Sequence, residues 1–134
     1  EGRRAVHSAR RTYSHEGYRA GGERTSMKIT PSEDAWQTQC HPLIRTHPES
    51  GRQSLFLNPV YTLGIEGMDA DEGSQILQEL FEHMLQPDFV YQHRWTENML
   101  VLWDNRTVMH SAQGGYSGYR RVMHRTTVAG SVPV

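Results

Sequence analysis

One histidine and two arginines in the last third of the chain have types and spacing suited to holding one or two anions. His110 follows the segment Trp103-Asp104-Asn105-Arg106 and lies on the second strand of a predicted strand, tight turn and strand. Arg121 and Arg125 are four residues apart, so they share one face if this segment is a strand. Because guanidinium pairs bidentately with carboxylates and sulfonates, the pattern predicts a site for one or two anions. The alternative is that the arginines lie on an exposed sheet face and that His110 is an ordinary histidine.

Short strands and tight turns are predicted to carry these residues. Turn-forming residues separate short apolar runs, which is typical of strands. The predicted strands are Phe89–Trp95, Met99–Trp103, Val108–Ala112 and Arg120–Val128.

Two elements are predicted ahead of these strands. The apolar runs 42–46 and 54–57 flank a segment rich in Pro, Ser and Gly, which predicts a β-hairpin. A helix is predicted over 70–86, capped by Asp69 or Asp71 and ended by Pro87. Its apolar face consists of Ile76, Leu77, Leu80, Phe81 and Met84. The predicted fold class is therefore mostly β with one main helix, a sandwich or barrel with the helix packed outside.

Composition limits the classes of function. The 134 residues carry 14 basic and 15 acidic side chains, a net charge of −1, which gives no support to a nucleic-acid or membrane-surface role. The single cysteine, Cys40, excludes an internal disulfide framework and fits a reducing, cytoplasmic compartment, and it is expected to be an unremarkable thiol. No apolar stretch approaches the roughly 20 residues of a membrane span.

The first thirty residues differ from the remainder, with seven basic and three acidic side chains and little hydrophobic periodicity. We interpret residues 1–38 as a partly disordered loop or lid and residues 39–134 as the main domain. A basic arm that binds nucleic acid is the weaker alternative, because few aromatic residues are available there for base stacking.

From His41 to Pro133 the chain resembles the C-terminal part of the taurine dioxygenase (TauD/TfdA) family, whose members are iron(II)- and 2-oxoglutarate-dependent. The resemblance depends on the segments 41–52, Leu55-Phe56-Leu57-Asn58, Trp103-Asp104-Asn105-Arg106 with His110, and 120–125 with Thr127 and Gly130. It implies a double-stranded β-helix, a jelly-roll barrel of which this chain forms the C-terminal part. Residues Ala5-Val6-His7-Ser8 also resemble the start of the family's lid.

The resemblance also implies a role for each matching residue. His110 resembles the distal histidine of the family's 2-His-1-carboxylate iron site, which leaves positions open for the cosubstrate and O2. Arg121 resembles the arginine that pairs with the far carboxylate of 2-oxoglutarate, and Arg125 the one that receives the substrate's anionic group. Tyr61 lies where the family often places an aromatic wall of the substrate pocket. The implied activity is hydroxylation of a small sulfonate, alkyl sulfate or aryloxy carboxylate, with release of succinate and CO2, by a homo-oligomer.

One motif of the family is missing. Its first two iron ligands come from an H-x-D pair, and no His-x-Asp occurs in these 134 residues. His47-Pro48-Glu49 is the nearest match, and we interpret it as part of the hairpin turn. The other two ligands are therefore expected before Glu1. A chain without them would be a catalytically incomplete module that binds anions or takes part in assembly, and this alternative stays open.

Overall fold

A three-stranded antiparallel sheet organises the N-terminal half of the molecule. The computed structural model describes residues 2–20 and 29–130; Arg24 and Lys28 of the basic stretch, and Pro133, lie outside them. The strands are β1 (Arg4–Ser8), β2 (Thr38–Pro42) and β5 (Thr62–Ile65), in the order β2-β1-β5. Ala5 of the central strand pairs with His41 on one side and Ile65 on the other.

The first 38 residues contain more regular structure than their sequence predicts. Besides β1, they contain α1 (Arg10–Tyr13), α2 (His15–Ala20) and a 3₁₀ helix over Glu33–Trp36. The buried Ser14 joins the two α-helices, because its hydroxyl accepts the Gly17 N–H at 2.9 Å. A Cβ atom at Gly17 would lie 2.2 Å from the Arg10 carbonyl oxygen, so only glycine fits this close approach. The sequence therefore does not reveal the strand and helices over residues 4–20, whereas the assignment of residues 1–38 to a partly disordered loop or lid, and the boundary after residue 38, stay predictions.

The predicted hairpin is confirmed. Strands β3 (Ile44–Thr46) and β4 (Gln53–Leu55) pair antiparallel, with Ile44 opposite Leu55. The connecting loop is closed by the Gly51 N–H, which donates to the His47 carbonyl oxygen at 2.9 Å. Gly51 has a φ of +68°, a conformation that glycine adopts without the steric cost of a side chain.

The main helix, α3 (Ala70–Met84), is also confirmed. Of the two predicted caps, Asp69 is the one used, and its carboxylate accepts the Asp71 N–H at 2.9 Å. Leu77 is buried against Ala5, Leu57 and Ile65, which form the core. The predicted apolar face packs on this core through Ile76, Leu80, Phe81 and Met84. Pro87 begins a 3₁₀ helix that ends at Phe89.

The four strands predicted between residues 89 and 128 are not present. Among the described residues from 91 to 130, the backbone hydrogen bonds are local turns, such as the Thr107 and Val108 N–H groups donating to the Asp104 carbonyl oxygen. A strand needs a neighbouring strand to pair its backbone groups, and these residues make no backbone hydrogen bond to another described segment. The described residues are therefore of mixed α and β content rather than mostly β.

No described helix has the length and apolarity needed to cross a membrane.

Candidate functional site

His110 lies just after a well-defined turn. The turn begins at Asp104, whose carbonyl oxygen accepts the N–H groups of Thr107 and Val108, each at 3.1 Å. The imidazole of His110 is exposed and faces the Trp103 ring, with 5.0 Å between centroids. No hydrogen bond to its ring nitrogens is found among the described residues. The ring is therefore chemically suited to bind a metal, which takes a neutral imidazole nitrogen.

The two predicted anion-binding arginines are exposed. The Arg121 guanidinium lies 5.0 Å from the centroid of the Tyr116 ring, in a cation–π arrangement. Within the described part of the chain, no hydrogen bond, ion pair or ring contact joins His110 to Arg121 or Arg125. Because residues 120–128 do not form a strand, the argument that both arginines share one strand face is wrong. Their roles stay predictions that depend on the motif.

Tyr61, the predicted aromatic wall of the substrate pocket, stacks on a second aromatic residue that the sequence did not reveal. The rings of Tyr61 and Tyr13 are stacked, with centroids 6.5 Å apart and planes inclined by 15°. Arg11 on the same short helix as Tyr13 holds this arrangement, because its guanidinium donates to the carbonyl oxygens of Pro59 and Thr62 at 3.3 and 3.4 Å. Two aromatic faces side by side suit an apolar or aromatic part of a ligand.

A polar network joins the hairpin loop to the turn before His110. His47 is buried, and its Nε2 lies 3.1 Å from Asp104 Oδ2. Arg106 donates from Nη2 to the same oxygen at 2.7 Å and from Nη1 to Glu49 Oε1 at 3.0 Å. Hydrogen bonds from Arg106, followed by the one from His47, hold the pKa of the Asp104 carboxyl well below its usual range. Asp104 and Glu49 in turn raise the pKa of Arg106. Asp104 is therefore a carboxylate at any physiological pH.

The residues of this network are recognisable in the sequence, but the contact between the hairpin loop and the turn at Asp104 is not. His47-Pro48-Glu49 was interpreted as turn chemistry, and this is confirmed, because the His47 Nδ1 accepts the N–H groups of Glu49 and Ser50 at 3.3 and 3.1 Å. Its second partner, Asp104, is 57 residues away. The only signal for this contact in the sequence is that His47 lies in one predicted turn, and that Asp104 and Arg106 lie in another.

A cluster of rings and one arginine fills the space between the sheet and the hairpin. His7, His41 and Phe56 have ring centroids 5.6 to 5.7 Å apart, and the Arg45 guanidinium lies 5.4 Å from the Phe56 ring. Burial, followed by the charge of His41, lowers the pKa of His7. Burial, followed by Arg4 and Arg45, lowers the pKa of His41. The two histidines are therefore neutral at pH 7, as expected for packed histidines.

The donors for a complete metal centre are not assembled in the described part of the chain. No group of three or more His, Cys, Asp or Glu side chains that could hold a metal occurs among those residues. Cys40 belongs to no such group among the described residues, and burial, followed by a hydrogen bond with Glu66, raises the pKa of its thiol. The assignment of His110 to an iron site therefore stays a prediction.

Comparison with known proteins extends this picture. The family model "Taurine catabolism dioxygenase TauD, TfdA family" matches residues 1–127. The alpha-ketoglutarate-dependent 2,4-dichlorophenoxyacetate dioxygenase of Cupriavidus pinatubonensis is 44% identical over 86 residues, which cover 64% of this chain and 30% of that protein.

Two solved structures share the fold. A Burkholderia xenovorans protein assigned as an alpha-ketoglutarate-dependent 2,4-D dioxygenase has a TM-score of 0.59 and 35% identity, covering 80% of this chain and 38% of that one. The protein AAD-2, solved in complex with Mn(II) and N-oxalylglycine, has a TM-score of 0.52 and 31% identity, covering 70% of this chain and 34% of that one. The chain thus spans about a third of the length of these three relatives.

Proposed function

Because the chain belongs to the taurine catabolism dioxygenase (TauD/TfdA) family, we propose that it is the C-terminal part of an iron(II)- and 2-oxoglutarate-dependent dioxygenase. The observation that carries the proposal is the ordered motif Trp103-Asp104-Asn105-Arg106, His110, Arg121 and Arg125. A likeness to a structure with Mn(II) and N-oxalylglycine supports the same cofactor class. The proposed fold of the whole enzyme is a double-stranded β-helix, in a reducing, cytoplasmic compartment.

Each residue has a separate task in the proposed site. His110 supplies one imidazole ligand, and the two remaining ligands are proposed to come from residues other than these 134. Arg121 pairs with the far carboxylate of 2-oxoglutarate, and Arg125 with the anionic group of the substrate, since the guanidinium fork matches both geometries. Iron and 2-oxoglutarate, when bound, supply the oxidation by O2, with release of succinate and CO2. The residues of this chain contribute binding and orientation.

The proposed substrate is a small organic anion with an apolar body. Relatives are named for 2,4-dichlorophenoxyacetate and for (S)-phenoxypropionate, and others for sulfonates and as an alkylsulfatase. The stacked rings of Tyr13 and Tyr61 favour a substrate with a flat apolar part. We therefore propose aryloxy carboxylates ahead of sulfonates and alkyl sulfates.

The test uses the full-length protein that contains this chain. Anaerobic addition of iron(II) and 2-oxoglutarate should give the visible absorption band of the metal–keto acid complex. Succinate release should then rise with one member of a panel of aryloxy acids, sulfonates and alkyl sulfates. The variant His110→Ala should lose both, whereas His83→Ala, an exposed histidine on α3, should lose neither. Retention of the band by His110→Ala would contradict the proposal.

A second candidate is an anion-binding or assembly module without a metal. It is favoured by the lack of an H-x-D pair in the sequence and of a three-donor group among the described residues. The same titration separates the two candidates. A full-length protein that binds 2-oxoglutarate or a sulfonate equally well with and without iron(II) would support this second function.

A further inference from the structure

We propose that His47 is a positioning residue for His110, which it controls through a hydrogen bond to Asp104. This inference rests on the proposed function, because it assigns His110 to a metal. The structural observation is the network that connects the loop between β3 and β4 to the turn at 104–107. The first point to establish is which nitrogen of His47 carries the proton.

Two backbone groups fix the tautomer of His47. The N–H groups of Glu49 and Ser50 both point at Nδ1, at 3.3 and 3.1 Å. A nitrogen that accepts hydrogen bonds carries no proton, so in the neutral ring the proton is on Nε2. Nε2 therefore donates to Asp104 Oδ2 at 3.1 Å. Since His47 is 9% exposed, water does not readily replace this donor.

The acceptor of this bond organises the turn before His110. Asp104 Oδ1 accepts the backbone N–H of Arg106 at 2.8 Å, and the Asp104 carbonyl oxygen accepts those of Thr107 and Val108. One residue earlier, the Trp103 ring packs against the imidazole of His110. An orientation imposed on Asp104 therefore reaches His110 through the hydrogen-bonded turn 104–108, which ends two residues before it, and through the contact of the Trp103 ring.

In the described part of the chain, no hydrogen bond from outside the loop between β3 and β4 anchors this segment. Among the described residues, the hydrogen bonds that join 91–130 to the earlier part of the chain are His47–Asp104 and Glu49–Arg106. Both come from one loop, which is itself closed by backbone hydrogen bonds between His47 and Gly51 and between His47 and Arg52. His47 is the buried member of the pair of contacts, whereas the Glu49 side chain is 75% exposed. The donor at His47 should therefore be the stronger determinant of where His110 lies.

A matched pair of variants separates the two hydrogen-bonding functions of His47. His47→Asn keeps an acceptor at the position of Nδ1 for the loop N–H groups but has no donor that reaches Asp104. His47→Gln places an amide donor near the position of Nε2 but lacks the acceptor. If His47 only stabilises the loop, His47→Gln should be the more damaging change. If His47 positions His110 through Asp104, His47→Asn should be the more damaging change.

The experiment measures iron(II) affinity in the full-length protein by anaerobic titration, together with hydrogen exchange of the Thr107 and Val108 amides. His47→Asn should bind iron(II) about tenfold more weakly, the lower end of the loss for groups that orient a metal ligand, and both amides should exchange faster. His47→Gln should stay close to wild type in both. Equal iron(II) affinity in the wild type and His47→Asn would overturn the positioning role alone. A wild type that binds no iron(II) would overturn the proposed function, and the positioning role with it.

Discussion

Arg121 and Arg125 are identical in chemistry, yet the proposed function gives each a different anion. Arg121→Ala should weaken 2-oxoglutarate binding by about tenfold or more, because it removes a charge-assisted, bidentate pair. Iron(II) affinity should change little, since arginine is not a metal ligand. Anaerobic titrations of the full-length protein measure both constants. Arg120→Ala, which changes the exposed neighbouring arginine, is the control. Equal losses of iron and 2-oxoglutarate affinity would contradict the assignment.

Arg125→Ala should have a different signature. Consumption of 2-oxoglutarate should continue while substrate hydroxylation falls, because the cosubstrate keeps its arginine and the substrate loses its own. The measurement is the ratio of succinate formed to substrate consumed, which should rise well above one. A variant with unchanged substrate affinity and a ratio of one would show that Arg125 does not bind the substrate anion.

At the residue scale, the sequence indicates the types and the spacing of the candidate site residues, but not which residues are in contact. His110, Arg121 and Arg125 are recognisable because the motif keeps them within 16 residues of one another. The stacking of Tyr13 on Tyr61 and the contact between His47 and Asp104 were not predicted, because the residues in contact are 48 and 57 positions apart in the sequence. Contacts across such separations depend on how the elements pack, which short-range patterns do not contain.

At the scale of elements, the predictions that succeeded concern elements whose signals lie within a few residues of one another in the sequence. The hairpin and α3 are confirmed because a turn residue with positive φ, an N-cap and an apolar face are all encoded within a few residues. The strands predicted over 89–128 have the right composition, but pairing requires a neighbour that no local pattern supplies. The strand and helices over residues 4–20 were not predicted, because short polar strands and helices have weak periodicity.

The N-cap of α3 gives a quantitative test at this scale. Asp69→Ala removes the acceptor of the Asp71 and Glu72 N–H groups, which lie 2.9 and 3.4 Å from Oδ1. The free energy of unfolding should fall by about 1 kcal/mol, the typical value of an N-cap. Asp71→Asn, which leaves the cap intact, should cost only about 0.3–1 kcal/mol through the helix dipole. Urea unfolding of both variants measures the difference, and a larger loss in Asp71→Asn would contradict the capping role.

The packed histidines between sheet and hairpin predict a pH-dependent stability. Burial lowers the pKa of His7 and of His41 in the folded protein, so the unfolded chain binds more protons at mildly acidic pH. Stability is therefore complete above the unfolded pKa, near 6.5, and is lost as the pH falls below it. The urea midpoint should fall between pH 7.5 and 5.5, and His7→Gln should reduce this fall. His15→Gln, on an exposed side chain, is the control and should leave the fall unchanged.

At the scale of the whole molecule, the two halves differ in how much apolar surface they bury. The described residues between 4 and 84 contain the buried core, whereas the segment that carries the proposed site residues exposes large side chains. Leu100 and Leu102 are each 94% exposed, and Val128 is 87% exposed. Apolar side chains in such numbers normally contact other protein surface. The chain also spans about a third of the length of the relatives named above, and the proposed function expects this segment to pair with further parts of a full-length protein.

Hydrogen exchange tests that inference directly. In the 134-residue chain, the amides of 99–103 should exchange almost as fast as in an unfolded peptide, because they have no backbone partners among the described residues. In the full-length protein the same amides should exchange at least about 100-fold more slowly, since they would then be paired in a sheet. The amides of α3 are the internal control and should be protected in both proteins. Rapid exchange over 99–103 in the full-length protein would show that the strand pattern of this segment never becomes a sheet, and would remove the barrel from the proposed function.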